Sequence, residues 1–205
     1  MTVNGEPVTV LGTRVDPGHD QVRVDGQPAS IKADNVYIVL NKPEGYVTSC
    51  DHPGEKIVLD LVDINRRIFP VGRLDKDSSG LLLLTDDGRI HHRLSHPSFD
   101  HEKEYDVTVD KPLTAGALEK MARGVALKGT RTRSARIKRV SPARFKITLQ
   151  EGRNRQVRRM VRKVGGRVIR LNRVRVAHIR LGKLKTGQWR YLSDVERKRL
   201  LEFVK

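Results

Sequence analysis

The stretch Gly72-Arg73-Leu74-Asp75-Lys76-Asp77-Ser78-Ser79-Gly80-Leu81-Leu82-Leu83-Leu84-Thr85-Asp86-Asp87-Gly88 decides how the rest of the chain is read. Four consecutive leucines bounded by turn residues predict a short strand buried on both faces. Asp86-Asp87-Gly88 is a tight-turn signal that closes it. Asp75 lies just upstream, after an arginine and a leucine and before a Ser-Gly break. An acidic loop is therefore pinned to a core strand. A carboxylate fixed on rigid structure beside an arginine is a common presentation of a nucleophile or general base.

The same residues have a rival reading. Asp75, Asp77, Ser79, Gly80 and Asp86 match positions 1, 3, 5, 6 and 12 of a calcium-binding loop. That pattern wants Glu at its last position and helices on both sides. Here Pro70 and Gly72 precede it, and leucines fill ligand positions, so the calcium reading is disfavoured. The plainest reading of all is a surface turn with capping aspartates.

Outward from this segment the chain is strongly basic, with a formal net charge of +17 over 205 residues. Such a charge calls for a polyanionic partner, with nucleic acid ahead of an anionic membrane surface. No apolar run reaches the roughly 20 residues of a membrane span, and Met1 to Val10 lacks a signal-peptide pattern. The single cysteine, Cys50, cannot form an internal disulfide. These features lead to the expectation of a cytoplasmic protein, with no membrane partner. His91, His92, His96 and His101 form a loose group without metal-ligand spacing, read as structural or RNA-facing, so no metal is expected.

The basic residues are segregated. Gly152 to Lys185 holds thirteen Arg or Lys and no acid, and residues 128 to 144 add seven more, again with no acid. An acid-free block leaves no local ion-pair partners, so its arginines are expected on phosphates. Arg153, Arg155, Arg159, Arg162, Arg173 and Arg175 are the candidates there, with Arg73 beside the acidic loop. Aromatic residues make up only 4% of the chain, which disfavours an extended stacking platform for single strands. A folded RNA gripped by its backbone, with one or two bases extracted, fits better.

The remaining pattern predicts α+β. Strands are expected at 37–40, 104–109, 134–140, 145–150 and 173–176, with a bulge near Ala177-His178 where the alternation slips. Helices are expected at 113–124, at 153–164 from the spacing of Val157, Met160, Val161 and Val164, and after Ser193-Asp194-Val195-Glu196, a capping box. Residues 1–30 carry short β pieces separated by turns at Asn4-Gly5, Asp16-Pro17-Gly18 and Asp25-Gly26.

The Gly72 to Gly88 segment closely resembles the signature of the pseudouridine synthases, in the branch of the RsuA and RluB type. Glu151-Gly152-Arg153-Asn154-Arg155-Gln156-Val157-Arg158-Arg159-Met160, Lys103-Glu104-Tyr105 and Gly187-Gln188-Trp189-Arg190-Tyr191-Leu192 resemble further motifs of that branch. The Asn-Arg-Gln form at 154–156 looks more RluB-like or RluF-like than RsuA-like. The resemblance implies a mainly antiparallel catalytic domain at 33–205 and, at 1–32, the β part of an S4-like RNA-binding domain whose helical first half the chain lacks. It implies Asp75 as catalytic carboxylate, Arg158 beside it, and Tyr105 stacked on the target base. It implies a monomer that isomerises a uridine of ribosomal RNA, in a large-subunit precursor or assembly intermediate, without a cofactor. A non-enzymatic RNA-binding or ribosome-assembly protein is the alternative. The residues leave open whether Asp75 attacks C1′, attacks C6 or assists elimination.

Overall fold

The computed structural model describes residues 1–16, 18–29, 35–95 and 101–204. Contacts divide the chain into Met1–Asn35 and Val36–Lys205. The expected boundary at 32/33 lies outside the described residues, as do Pro17 and His96.

In the first unit, β1 (Thr2–Val3), β2 (Glu6–Pro7), β3 (Val22–Val24) and β4 (Gln27–Pro28) form an antiparallel sheet in the order β2-β1-β3-β4. Asn4 and Asp25 turn its two hairpins with positive φ, each followed by a glycine that also has positive φ, the Asn-Gly and Asp-Gly turns read from the sequence.

The second unit is built on β5 (Tyr37–Lys42), β6 (Phe69–Val71), β7 (Ser79–Thr85), α1 (Gly88–Ser95), β8 (Lys103–Val109), α2 (Ala115–Ala122), the short pair β9 (Ala126–Leu127) and β10 (Thr130–Arg131), β11 (Arg136–Ser141), β12 (Arg144–Leu149), α3 (Gln156–Lys163), β13 (Val168–Val176), β14 (Ile179–Arg180), β15 (Trp189–Tyr191) and α4 (Asp194–Leu201). The large sheet runs β11-β12-β8-β13-β7-β5-β15, with β14 added to β13 and β6 to β7. Among the described residues, only the β13–β7 ladder of this sheet is parallel. The architecture is α+β, as the irregular alternation of elements predicted.

The leucine run is the strand it promised to be. All seven residues of β7 are buried. Alternation sends Leu81 and Leu83 into one apolar cluster with Ile90, Leu94 and Leu200, and Leu82 and Leu84 into another with Val58, Ile68 and Leu74. Each such leucine contributes about 2 kcal/mol of transfer free energy. A third cluster packs Val107, Phe145 and Ile147 of β8 and β12 under Met121 of α2 and Met160 and Val161 of α3.

Two expectations are corrected. The predicted bulge at Ala177-His178 is a two-residue hairpin: Val176 pairs with Ile179, and Ala177 adopts positive φ. The phase slips there because the chain reverses. The bulges of β13 lie earlier, between Val168 and Arg170 and between Arg173 and Arg175. The helix predicted at 153–164 begins only at Gln156, because Arg155 is left-handed, with φ 52°.

Candidate active site

β7 has one unbroken edge and one divided edge. β5 covers the first along its length. On the second, β13 pairs with Ser79 and Gly80, whereas β6 pairs with Leu83 to Thr85. The two strands part along β7, and a cleft of about 730 Å³ lies between them, with Phe69, Asp75, Tyr105, Leu171 and Arg173 among its lining residues.

The backbone around Asp75 is fastened from several sides. Gly72 turns the chain with φ +71°. Leu74 is buried, and the Thr48 hydroxyl donates to its carbonyl at 2.7 Å. The Ser78 amide donates to the Asp75 carbonyl at 3.0 Å. Lys42, fully buried, donates from Nζ to the carbonyls of Pro43 at 2.9 Å, Asp75 at 3.2 Å and Ser78 at 2.8 Å. Burial pushes the Lys42 pKa down to about 8, against the pull of Glu44, Asp75 and Asp77. Three carbonyl acceptors match the three N–H groups of the ammonium form, so Lys42 is charged at neutral pH. The Asp75 side chain itself stays 29% exposed at the cleft wall.

The cation facing Asp75 is Arg155, whose Nη1 lies 3.8 Å from an Asp75 carboxylate oxygen. Arg155 also grips Asp77 with a two-pronged contact of 3.0 and 2.7 Å. That hydrogen bonding holds Asp77 below the usual carboxylate range, with the Arg158 charge assisting and burial opposing. Arg158 was expected beside Asp75. It donates instead to the Asp77 carbonyl and to the Ser78 hydroxyl, and its Nε is 3.5 Å from the Asp77 carboxylate. The reason is the left-handed Arg155, which swings its own side chain over the acidic loop before α3 begins.

Tyr105 lines the cleft and packs against two of the apolar clusters. Arg73 is exposed on the same cleft. Arg153 also lines it, but its guanidinium is occupied by Glu151, Thr130 and the Arg131 carbonyl. Arg159 donates to Asn154, and Arg162 is exposed on α3. Two expected phosphate ligands sit elsewhere. Arg173 is buried at 5% exposure, and Arg175 is bound by Glu102 and Glu104. The block is acid-free only along the chain; Glu104 of β8 and Glu102 just before it reach the block from the neighbouring strand.

The calcium-loop spacing is laid along β7 rather than round a loop, which puts Asp86 beyond its far end, roughly 20 Å of strand away. His91 meets Phe69 edge-on and His101 packs at a tilt on Phe203, at 5.4 and 4.6 Å between ring centres, so these two histidines serve different places. Lys42, Thr48 and Phe69 were missed by sequence reasoning. A lysine between a buried strand and a proline was the one signal available.

A family model described as RNA pseudouridylate synthase matches residues 36–163, which contain Asp75, Tyr105 and α3. The chain belongs to the RNA pseudouridylate synthases. Among relatives of this synthase, the dual-specificity RNA pseudouridine synthase RluF of Escherichia coli K12 is 42% identical over 95% of the chain and 67% of its own length. The ribosomal large subunit pseudouridine synthase B of Bacillus subtilis is 41% identical over 98% of the chain and 84% of its own. The ribosomal small subunit pseudouridine synthase A of E. coli K12 is 38% identical over 96% and 87%. A crystal structure of a pseudouridylate synthase superposes on 97% of the synthase and 87% of that chain, with a TM-score of 0.78 at 30% identity.

Proposed function

We propose that this synthase isomerises a specific uridine in large-subunit ribosomal RNA, with Asp75 as the catalytic carboxylate. The observation that carries the reading is Asp75 itself: an accessible carboxylate on a many-times-fastened backbone, at the wall of a cleft that also holds Tyr105. Ribosomal RNA is supported by the names of the relatives, and the large subunit by the B. subtilis protein, of which the chain covers the most among those matching at 41% or better.

The reaction breaks the N1–C1′ bond of uridine and joins C5 to C1′. It has no net redox change and adds no group, so its balance calls for no cofactor. The target base leaves its stack at a cost of a few kcal/mol. Tyr105 stacks on the extracted uracil. Arg155, 3.8 Å from the Asp75 carboxylate, helps to hold it at the cleft wall. The exposed Arg73 holds flanking phosphate at the rim.

Asp75→Asn should abolish isomerisation while leaving RNA affinity nearly intact. Tritium release from labelled uridine, beside filter binding, reads both. A variant retaining a tenth of wild-type turnover would remove Asp75 from the chemistry. Mapping pseudouridines in ribosomal RNA from cells with and without the protein tests the subunit; a site lost from the small subunit alone would overturn that part.

A further inference from the structure

Arg173 is 5% exposed yet lines the cleft. Its Nε donates to the Leu81 carbonyl at 2.7 Å and its Nη1 to the Arg73 carbonyl at 3.2 Å. Its Nη2 is buried and meets no partner among the described residues. Both acceptors are neutral carbonyls, and no described carboxylate pairs with this guanidinium. Arginine does not give up its proton, so the charge stays. A buried cation without a counter-charge is costly, and at a cleft wall that cost is recovered only when a ligand brings an acceptor.

The position of Arg173 says which acceptor. The register sets it across from Tyr105 on one side and Gly80 on the other. It therefore belongs to the floor of the cleft, behind the loop that carries Asp75. Phosphates are too strongly hydrated to be drawn to the floor when exposed arginines such as Arg73 wait at the rim. The group that travels deepest is the extracted base. Uracil offers two carbonyl oxygens, O2 and O4, as acceptors.

We propose that Nη2 of Arg173 donates to one uracil carbonyl oxygen and stabilises the negative charge that appears on the ring during isomerisation. When the C1′–N1 bond breaks, its electron pair remains on N1 and spreads onto O2 and O4. A fixed cationic donor at either oxygen lowers the barrier to that cleavage. The ring then turns, C5 bonds to C1′, the C5 proton leaves and N1 is protonated. The first two hydrogen bonds of Arg173 hold the fork in place, and the third does the chemistry. This proposal rests on the reading of the cleft as the Asp75 site.

A chemical double-mutant cycle tests it. The target uridine in a short RNA is replaced by 2-thiouridine or by 4-thiouridine, since sulfur is a much weaker acceptor than oxygen. Single-turnover rates are measured at saturating RNA for wild type, Arg173→Lys and Arg173→Gln, with thermal melting of each protein. One thio substitution should slow wild type by about tenfold, and Arg173→Gln should slow the uridine reaction by about a hundredfold. The same thio substitution should slow Arg173→Gln by no more than about twofold. If the two losses multiply at both positions, Arg173 acts only by holding the backbone, and the proposal falls. If Arg173→Gln does not fold, the wild-type comparison decides: no slowing by either thio base overturns the contact, and slowing by one supports it. Asp75→Asn is run alongside. An active Asp75→Asn sinks the site reading, whereas an inactive one with multiplying losses sinks the Arg173 proposal alone.

Discussion

Asp75 is placed by neighbours that fasten its backbone from several sides. Thr48 fixes Leu74, Arg173 fixes Arg73, and Lys42 and the Ser78 amide share the Asp75 carbonyl. The division of labour between the two nearest arginines follows from the same geometry. Arg155 alone among the described cations pairs with the Asp75 carboxylate, at 3.8 Å, while Arg158 is spent on Asp77 and Ser78. Arg155→Ala should therefore slow single-turnover isomerisation by about tenfold or more, because the Asp75 carboxylate loses the guanidinium that faces it. Arg158→Ala should act mainly by loosening the 77–78 segment, lowering the melting temperature more than Arg155→Ala does. A melt and single-turnover rates at saturating RNA of both variants separate the roles. The sequence made Asp75 legible because a motif of residue types surrounds it. It could not assign the arginine, because Arg155 and Arg158 differ only in the backbone conformation at one residue, and φ 52° at a non-glycine position leaves no mark in the sequence.

At the scale of elements, the cleft exists because β7 shares one edge between two strands, and Gly80 is what lets β13 in. A Cβ built on Gly80 would lie 2.3 Å from the Arg173 carbonyl oxygen and 2.6 Å from the Arg173 nitrogen, and φ there is +106°. Gly80→Ala should destabilise the protein by about 3 kcal/mol through clash and backbone strain together, read from urea unfolding. A neutral outcome would mean that the β7–β13 contact is not as tight as the register implies. The other end of β7 is closed by carboxylates. Asp87 accepts from the Tyr37 hydroxyl at 2.8 Å and from Arg89 through its amide and its guanidinium. Burial would raise its pKa, but these hydrogen bonds outweigh burial and hold it at about 2. The folded value lies below the unfolded one of 3.8, so the stabilisation is complete above about pH 4 and fades as pH falls toward 2. Asp87→Asn should cost about 2 kcal/mol at neutral pH, and the gap to wild type should close in that acid window. Denaturant midpoints at a series of pH values check both points. Here the sequence was half legible. Asp86-Asp87-Gly88 announced the end of the strand, but not that Asp87 would be a buried anchor for Tyr37, fifty residues away.

Over the whole molecule, charge segregation along the chain does not equal charge segregation in space. The thirteen basic residues from Gly152 to Lys185 have no acid among them. The fold nevertheless brings Glu102 and Glu104 to Arg175, Asp77 to Arg155 and Asp110 to Arg167. Burial removes Arg173 from the surface as well. The field that meets RNA therefore belongs to a subset, and composition alone cannot name it, because ion pairs between strands are set by sheet register. Arg73 and Arg175 make the contrast measurable. The Arg73 side chain is exposed at the cleft and no described carboxylate pairs with it, while Arg175 is held by two carboxylates at 2.9 and 3.1 Å. A phosphate contact releases about one counterion, so losing it lowers the slope of log affinity against log salt by about one. Arg73→Ala should show that change in filter binding across a salt series. Arg175→Ala should leave the slope within error of wild type and appear in the melting temperature instead, because Glu102 and Glu104 lose a shared partner. Equal slopes for Arg73→Ala and wild type would mean that Arg73 meets no phosphate, and that the rim is held by other cations such as Arg162.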